Sequence, residues 1–392
     1  MDVQRLHRLS RLSPVERRHR RIQRQVHVQP VGAARRQLRD PGRPRARQLP
    51  QFLPAGYALA VRRPSSGKEP RMNAVAPIRL PDPAATLRED ALAGLSATPK
   101  RLPSKYFYDA RGSALFDAIT RQPEYYLTRT ELELLARSMP AIAARVGAGA
   151  HVVEYGSGSG LKTETLLDGL DAPRAYTPVE ISPSALDASV ARLHARFPAV
   201  AMRPLCADFT RPLALPPATG DGRVLVFFPG STLGNFADAE AVAILKAMAA
   251  TIAGKGGTHG MALVGIDLVK DPARIEAAYN DAAGVTAAFT LNLLTRLNRE
   301  LGADFDLDAF AHRARYVPLR ERIETHIVSR RAQTVTVAGQ RIAFADGEAM
   351  LVEYSHKYRD ARFAALAAQA GLRVIDGWGG EREGFGLRLL AR

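Results

Sequence analysis

Among its 392 residues the chain has a single cysteine, Cys206. That excludes an internal disulfide and points to a reducing compartment. Next to a predicted strand end, Cys206 reads as a small buried residue. No apolar run reaches the length of a membrane span. The beginning lacks the continuous apolar core of a secretory signal. No HExxH or CxxC occurs, and His151, His259, His312, His326 and His356 show no metal-ligand spacing. They read as surface or core residues, and no metal is expected. No Ser-His-Asp constellation follows from spacing. These absences predict a soluble, cytoplasmic protein with no membrane partner. Its length suits one large α/β domain plus a smaller one.

The net charge of +16 is unevenly placed. Residues 1–71 hold 17 arginines and Lys68 against Asp2, Glu16, Asp40 and Glu69, so they carry nearly all of it. The body is close to neutral, which argues against phosphate contacts and a nucleic-acid partner. The basic arm shows no sustained apolar periodicity and has three readings. It is a disordered nucleic-acid tail, an Arg-rich targeting peptide, or translated sequence upstream of a natural start at Met72. Residues 72–97, rich in Pro and Ala, predict an extended lead-in.

Apolar spacing predicts helices over Ala114–Ile119 and Glu131–Val146. The stretch RQPEYYLTRT between them reads as a loop, with Thr128 or Thr130 as the second helix's cap. From His151, short apolar runs alternate with helical patterns. HVVEYG, AYTPVEIS, AMRPLCADF, RVLVFFPGS and MALVGIDLV read as strands of a parallel sheet, with helices at Thr163–Leu170 and Ser184–Arg196. Beyond Asp267 the sequence is helical to about Gly302, and residues 321–355 read as antiparallel β. A helix around Arg362–Ala370 and a hairpin of LRVIDGWGG with GFGLRLLAR would complete the sheet.

The strongest local motif is Glu154-Tyr155-Gly156-Ser157-Gly158-Ser159-Gly160, where a strand enters a glycine-rich turn before a helix. Glycines let the backbone turn sharply and approach a ligand closely. The spacing is GxGxG rather than the GxGxxG of nicotinamide dinucleotide sites, and no lysine-bearing phosphate loop is present. This form resembles the first motif of Rossmann-type methyltransferases. Glu180 ends the second strand, where an acid accepts from both ribose hydroxyls. Asp208 ends the third, followed by Phe209, a pair that suits an adenine's exocyclic amine and ring. Each acid alone is a common cap or turn residue. Three ordered strand ends together favour a cofactor site.

With these residues in place, residues 98–392 resemble the histidine Nα-methyltransferase family of ergothioneine biosynthesis. The resemblance rests on KYFYDARGSALFDAITRQPEYYLTRTE, EYGSGSGLKT, FFPGSTLGNF, DLVKDPARIEAAYNDAAGVTAAF with LNRELGADF, and VEYSHKY, in this order. It implies S-adenosylmethionine as cofactor, with Gly156, Lys162, Glu180, Asp208 and Phe209 binding it. It implies Tyr125, Asn235, Tyr279, Glu353 and Ser355 for free L-histidine, and Tyr108 as an active-site candidate. It also implies three successive methylations, to the betaine hercynine. Another amino acid or a small amine is the alternative substrate.

The residues also have plainer explanations. Asn235 suits a loop turn, Tyr279 a core aromatic in a helix, and one of Tyr125 and Tyr126 simple packing. Glu353 and Ser355 alternate on a predicted strand and so share a face, which a solvated edge would also explain. The expected fold is α/β: a Rossmann-like methyltransferase domain over 129–269 and 357–392, with a smaller α+β substrate-binding domain over 98–128 and 270–356. A monomer is expected.

Overall fold

The computed structural model describes residues 83–392, apart from residues 158–159, 182, 211–212, 214–221 and 254–259. The basic arm at 1–71 lies outside the described residues, as does His259. Helix α1, Pro83–Ser96, corrects the expected extended lead-in over 72–97. Leu87, Ala91 and Leu95 recur at helical spacing and are buried on one face. Its proline stands at the first position, where a missing N–H breaks no helical bond.

A 3-10 turn at Ser104–Phe107 leads to α2, Ala110–Ile119, which Asp109 caps by accepting from the Gly112 N–H. Helix α3 spans Tyr126–Val146 and begins inside the expected loop. Its N-cap is Tyr125, not Thr128 or Thr130. Tyr126, Leu127 and Glu131 are already buried, so packing overrides the loop-like local texture.

Strands and helices then alternate: β1 His151–Tyr155, α4 Leu161–Gly169, β2 Ala175–Glu180, α5 Pro183–Arg196, β3 Ala201–Met202, β4 Leu205–Cys206, β5 Val224–Phe228, α6 Asp238–Thr251 and β6 Met261–Asp267. The expected third strand is split into β3 and β4. Pro204 lies between them and has no N–H for the ladder. Cys206, on the edge strand β4, is partly rather than fully buried. Next come α7 Pro272–Ala277, α8 Val285–Leu301, β7 Phe310–Val317, β8 Arg322–Ser329, β9 Gln333–Val337, β10 Gln340–Phe344 and β11 Ala349–His356. β7 precedes the stretch predicted as antiparallel β. The chain ends with α9 Asp360–Gln369 and the antiparallel pair β12 Arg373–Gly380 and β13 Phe385–Ala391.

The large sheet has the order β12-β13-β6-β5-β1-β2-β3, with β4 also on β2. β1, β2, β3, β4, β5 and β6 pair in parallel, while β13 is antiparallel to β6. This is the Rossmann-like arrangement. The strand order reverses between β1 and β5, and α/β sheets bind ligands at the carboxyl ends beside such a switch. α3 and α4 pack on one face of the sheet, and α6 and α9 on the other.

A separate core joins α1, α2 and α8 to the three-stranded sheet β11-β8-β7 and the hairpin β9-β10. The hairpin turns on Ala338 and Gly339, both at positive φ (49° and 83°), the geometry of a tight two-residue turn. Among the described residues no helix is long and apolar enough to cross a membrane.

Candidate active site

The cofactor candidates collect at the carboxyl edge of the large sheet. Gly156 follows β1 at φ 76°, and its N–H donates to the Val179 carbonyl of β2 at 2.9 Å. A Cβ there would stand 3.5 Å from Phe209 Cε1, an ordinary contact, so the positive φ rather than crowding is what favours glycine. Phe209 stacks on Tyr155 and meets Phe228 and Phe236 edge-on. Asp208 lies just past β4, and its Oδ1 accepts from the Thr210 N–H and hydroxyl. Glu180 ends β2, and its Oε1 accepts from the Ile181 N–H at 2.9 Å.

Under the glycine turn, fully buried Glu154 accepts from Thr163 Oγ1 at 2.6 Å and Tyr176 Oη at 2.5 Å. Burial pushes its pKa up to about 7, against those hydrogen bonds. Lys162, on the first turn of α4, pairs with the buried Glu131 of α3. Both oxygens of that carboxylate accept from the Gly230 N–H after β5, each at 2.9 Å. Glu131 thus fastens Lys162 and the β5 loop together.

The substrate candidates come from four places. Tyr279 stands in the turn after α7, not in a helix as its surroundings predict. His312 secures that turn: its Nε2 donates to the Tyr279 carbonyl at 2.9 Å, which leaves Nδ1 to accept from Thr290 at 3.0 Å. Tyr279 Oη lies 2.6 Å from Ser355 Oγ on β11. Glu353, on the same strand, pairs in register with Thr325 of β8 and accepts from its hydroxyl at 3.3 Å. Ser355 pairs with Ile323, and both β8 partners are buried, so Glu353 and Ser355 share the inward face. Burial raises the Glu353 carboxyl to about 7, against opposing pulls from Thr325 and Lys357.

Tyr108 and Tyr125 both pack against Phe116 and lie within electrostatic reach of Tyr279 and Glu353. Tyr108 packs edge-on against Phe116 and Phe289, and Tyr125 against Phe116. Tyr108 is 37% exposed, so it faces an opening rather than the core. Its hydroxyl pKa is pushed up by the surrounding protein, then by Glu353, Tyr279 and Glu180. Tyr108 therefore stands within electrostatic reach of both Glu353 on β11 and Glu180 at the end of β2. Tyr125 is raised by burial and by Tyr279, Tyr108 and Glu353. Asn235 closes a 3-10 turn, Thr232–Asn235, after β5. The preceding Gly234 lies so close to β11 that a Cβ would come within 2.8 Å of the His356 carbonyl.

Sequence reasoning missed a buried ionic network beneath these residues. Asp267, at the end of β6, pairs with Lys357 at 2.9 Å and with Lys270, and accepts from Tyr126 Oη at 2.8 Å. Lys270 also donates to Tyr126 Oη at 2.8 Å. Of the adjacent tyrosines, Tyr126 is thus bound into this network. Burial alone would raise Asp267, but Lys357 and Lys270 hold its carboxyl below the ordinary value. The available signal was a charged residue ending the apolar strand MALVGID and a lysine two places past Ser355. Among the described residues no His, Cys, Asp and Glu cluster could hold a metal.

Residues 87–392 match the family of histidine-specific, S-adenosylmethionine-dependent methyltransferases. Histidine N-alpha-methyltransferase from Mycolicibacterium smegmatis is 45% identical over 314 residues, covering 79% of this chain and 96% of that protein. Its counterpart from Mycobacterium tuberculosis is 42% identical over 311 residues, covering 78% and 95%. Ergothioneine biosynthesis protein 1 from Neurospora crassa is 29% identical over 313 residues, covering 75% of this chain and 33% of that protein. With the parallel sheet, the glycine turn and these matches together, the chain belongs to the histidine-specific, S-adenosylmethionine-dependent methyltransferase family.

Proposed function

We propose that this chain methylates the α-amino nitrogen of free L-histidine, three times in succession, to give hercynine for ergothioneine biosynthesis. The observation that carries this reading is the convergence of Tyr279, Ser355 and Glu353 beside Tyr108, which also feels Glu180. Polar groups suited to an amino acid with a nitrogenous ring thus lie next to the cofactor edge. In this reading residues 129–269 and 357–392 form the methyltransferase domain. Residues 98–128 and 270–356 form the substrate-binding domain, with α1 in its core.

S-adenosylmethionine, when bound, supplies an electrophilic methyl group on a sulfonium that already carries its leaving group. The residues at the sheet edge fit it. Glu180 takes the ribose hydroxyls, Asp208 and Phe209 the adenine, and Gly156 permits close backbone approach. Lys162, with N–H donors beyond the one given to Glu131, faces its polar end. The chain's remaining task is orientation. Asn235 and Tyr279 hold the amino-acid end, with Tyr125 beside them, and Glu353 and Ser355 hold the ring. The nitrogen must be uncharged to react. Tyr108 keeps its proton because its pKa is raised, so it orients or relays by hydrogen bonds rather than acting as an anionic base.

Glu180→Ala should weaken S-adenosylmethionine binding by roughly tenfold to hundredfold, as for a hydrogen bond to a charged group worth about 1.5–3 kcal/mol. Calorimetry on the folded variant measures this, and unchanged affinity removes Glu180 from the site. Asn235→Ala should raise the KM for every amino acid the enzyme accepts, because the groups it holds are common to all. A change only in preference among side chains would contradict that role. A chain beginning at Met72 should keep its melting temperature and turnover, since the family match starts at residue 87. A large loss of either would give residues 1–71 a part in the enzyme. The direct test of the proposed activity is methylation of histidine by the purified protein, followed by mass analysis.

A further inference from the structure

Lys357 is fully buried, and the reaction itself gives it no task. Its ammonium nitrogen lies 2.9 Å from Asp267 Oδ2, 2.9 Å from Tyr279 Oη and 2.8 Å from Ser355 Oγ. An ammonium has three N–H donors and no acceptor, so these contacts use all of them. A lysine needed only to neutralise Asp267 would not have to meet both substrate-side hydroxyls.

We propose that Lys357 is a positioning residue for substrate selection: it sets which hydrogen-bonding groups Tyr279 and Ser355 can offer a ligand. The inference rests on the substrate reading above and deepens it. Two hydroxyls together hold two protons and four lone pairs. Lys357 fills one lone pair on each oxygen. The contact between them, at 2.6 Å, uses one proton and one further lone pair. Tyr279 stays protonated, because burial and then Glu353 and Asp267 raise its pKa well above the ordinary value. What is left is one O–H on one residue and one lone pair on the other.

The pair therefore shows a ligand one donor and one acceptor, in either direction of the internal bond. If Ser355 donates to Tyr279, Tyr279 donates outward to an α-carboxylate and Ser355 accepts a ring N–H. If Tyr279 donates to Ser355, Ser355 donates to a bare ring nitrogen and Tyr279 accepts an amine N–H. Histidine meets either arrangement. An amino acid with a hydrocarbon ring leaves Ser355 unmatched in both, and an unpaired buried polar group is heavily penalised. Without Lys357 a further lone pair on each oxygen would be released, and the selection would relax.

The test is a double-mutant cycle in a background with no net change of charge. Lys357→Met with Asp267→Asn removes the ion pair while filling the space. This variant should raise the histidine KM by roughly tenfold or more, with cofactor affinity by calorimetry nearly unchanged. Ser355→Ala should raise KM strongly in the native chain but by only about twofold or less in that background, since coupled residues are not additive. Lys357→Gln with Asp267→Asn keeps an N–H donor and should recover part of the loss. If the background variant does not fold, this one carries the cycle.

Additive effects of Lys357 and Ser355 overturn the proposal, as does an equal loss for Met and Gln. An unchanged histidine KM in the background variant overturns it too. If Ser355→Ala and Tyr279→Phe leave the histidine KM unmoved in the native chain, the substrate reading falls as well. If those two raise it while Lys357 stays uncoupled, only the present inference falls.

Discussion

Glu353→Ala is expected to lower kcat/KM for histidine by tens of times or more while leaving S-adenosylmethionine affinity nearly intact. Glu353 shares the inward face of β11 with Ser355, and among the described residues only Thr325 donates to its carboxylate, through a long 3.3 Å contact. Among the described residues most of its accepting capacity is therefore left for a ligand. A ring N–H bonded to a carboxylate is worth about 1.5–3 kcal/mol, or roughly tenfold to hundredfold. The acids proposed to hold the cofactor lie on β2 and beyond β4, on the other sheet, so cofactor binding should not change.

Glu353 also predicts a pH dependence. Burial raises its carboxyl from an ordinary 4.5 to about 7. As the ionised form is the acceptor, kcat/KM for histidine should fall as pH drops through 7. Glu353→Gln cannot ionise and should lack that limb while retaining any that belongs to the substrate amine. The sign for stability is opposite. A raised carboxyl pKa means the folded state holds its proton longer, so this group's contribution is full below pH 4.5 and is lost as pH rises to about 7. If Glu353→Ala keeps both its rate and its preference for histidine, the carboxylate is a bystander.

The second large effect is structural. Asp267→Ala should destabilise the protein by about 3–5 kcal/mol, because it leaves the buried Lys357 without its counter-charge. Lys270 and Tyr126 lose a partner in the same step. Urea unfolding should show a lower midpoint with little change in slope. Asp267 has a lowered folded pKa, so its stabilisation is present above the ordinary carboxyl value of 3.8 and is lost as pH falls through the folded one. The gap between native and variant should thus persist from pH 5 to 8 and shrink only under strong acid. A shift below about 1 kcal/mol would mean that the network contributes little. Asp267→Asn, which keeps the shape, should cost less.

Much of the large sheet was legible because its strands are continuous apolar runs and the proposed ligand residues fall at their ends. HVVEYG and AYTPVEIS could hardly be anything but buried strands, so the places of Gly156 and Glu180 at the sheet edge follow directly. The proposed substrate side was legible only through the motifs of a resembling family. Spacing alone does not bring Tyr279 to Ser355, since two separate chain segments meet there. The errors have local causes. Composition made α1 look extended, although its Leu87, Ala91 and Leu95 carry a helical stripe. RQPEYYLTRT has the texture of a loop, yet Tyr126 starts a helix because Asp267 and Lys270 anchor its hydroxyl. β7 alternates Ala314 and Tyr316 with arginines, which hides its apolar face. The Asp267–Lys357 pair joins the end of β6 to the residue after β11, a meeting that only the fold creates.

The most direct test of the central claim is to incubate the purified chain with S-adenosylmethionine and each free amino acid in turn, then weigh the products. The account predicts that histidine gains up to three methyl groups on its α-nitrogen, ending at the trimethylated betaine, and that amino acids with hydrocarbon side chains gain essentially none. Methylation of another amino acid or amine in preference to histidine, or on a ring nitrogen of histidine, would contradict it.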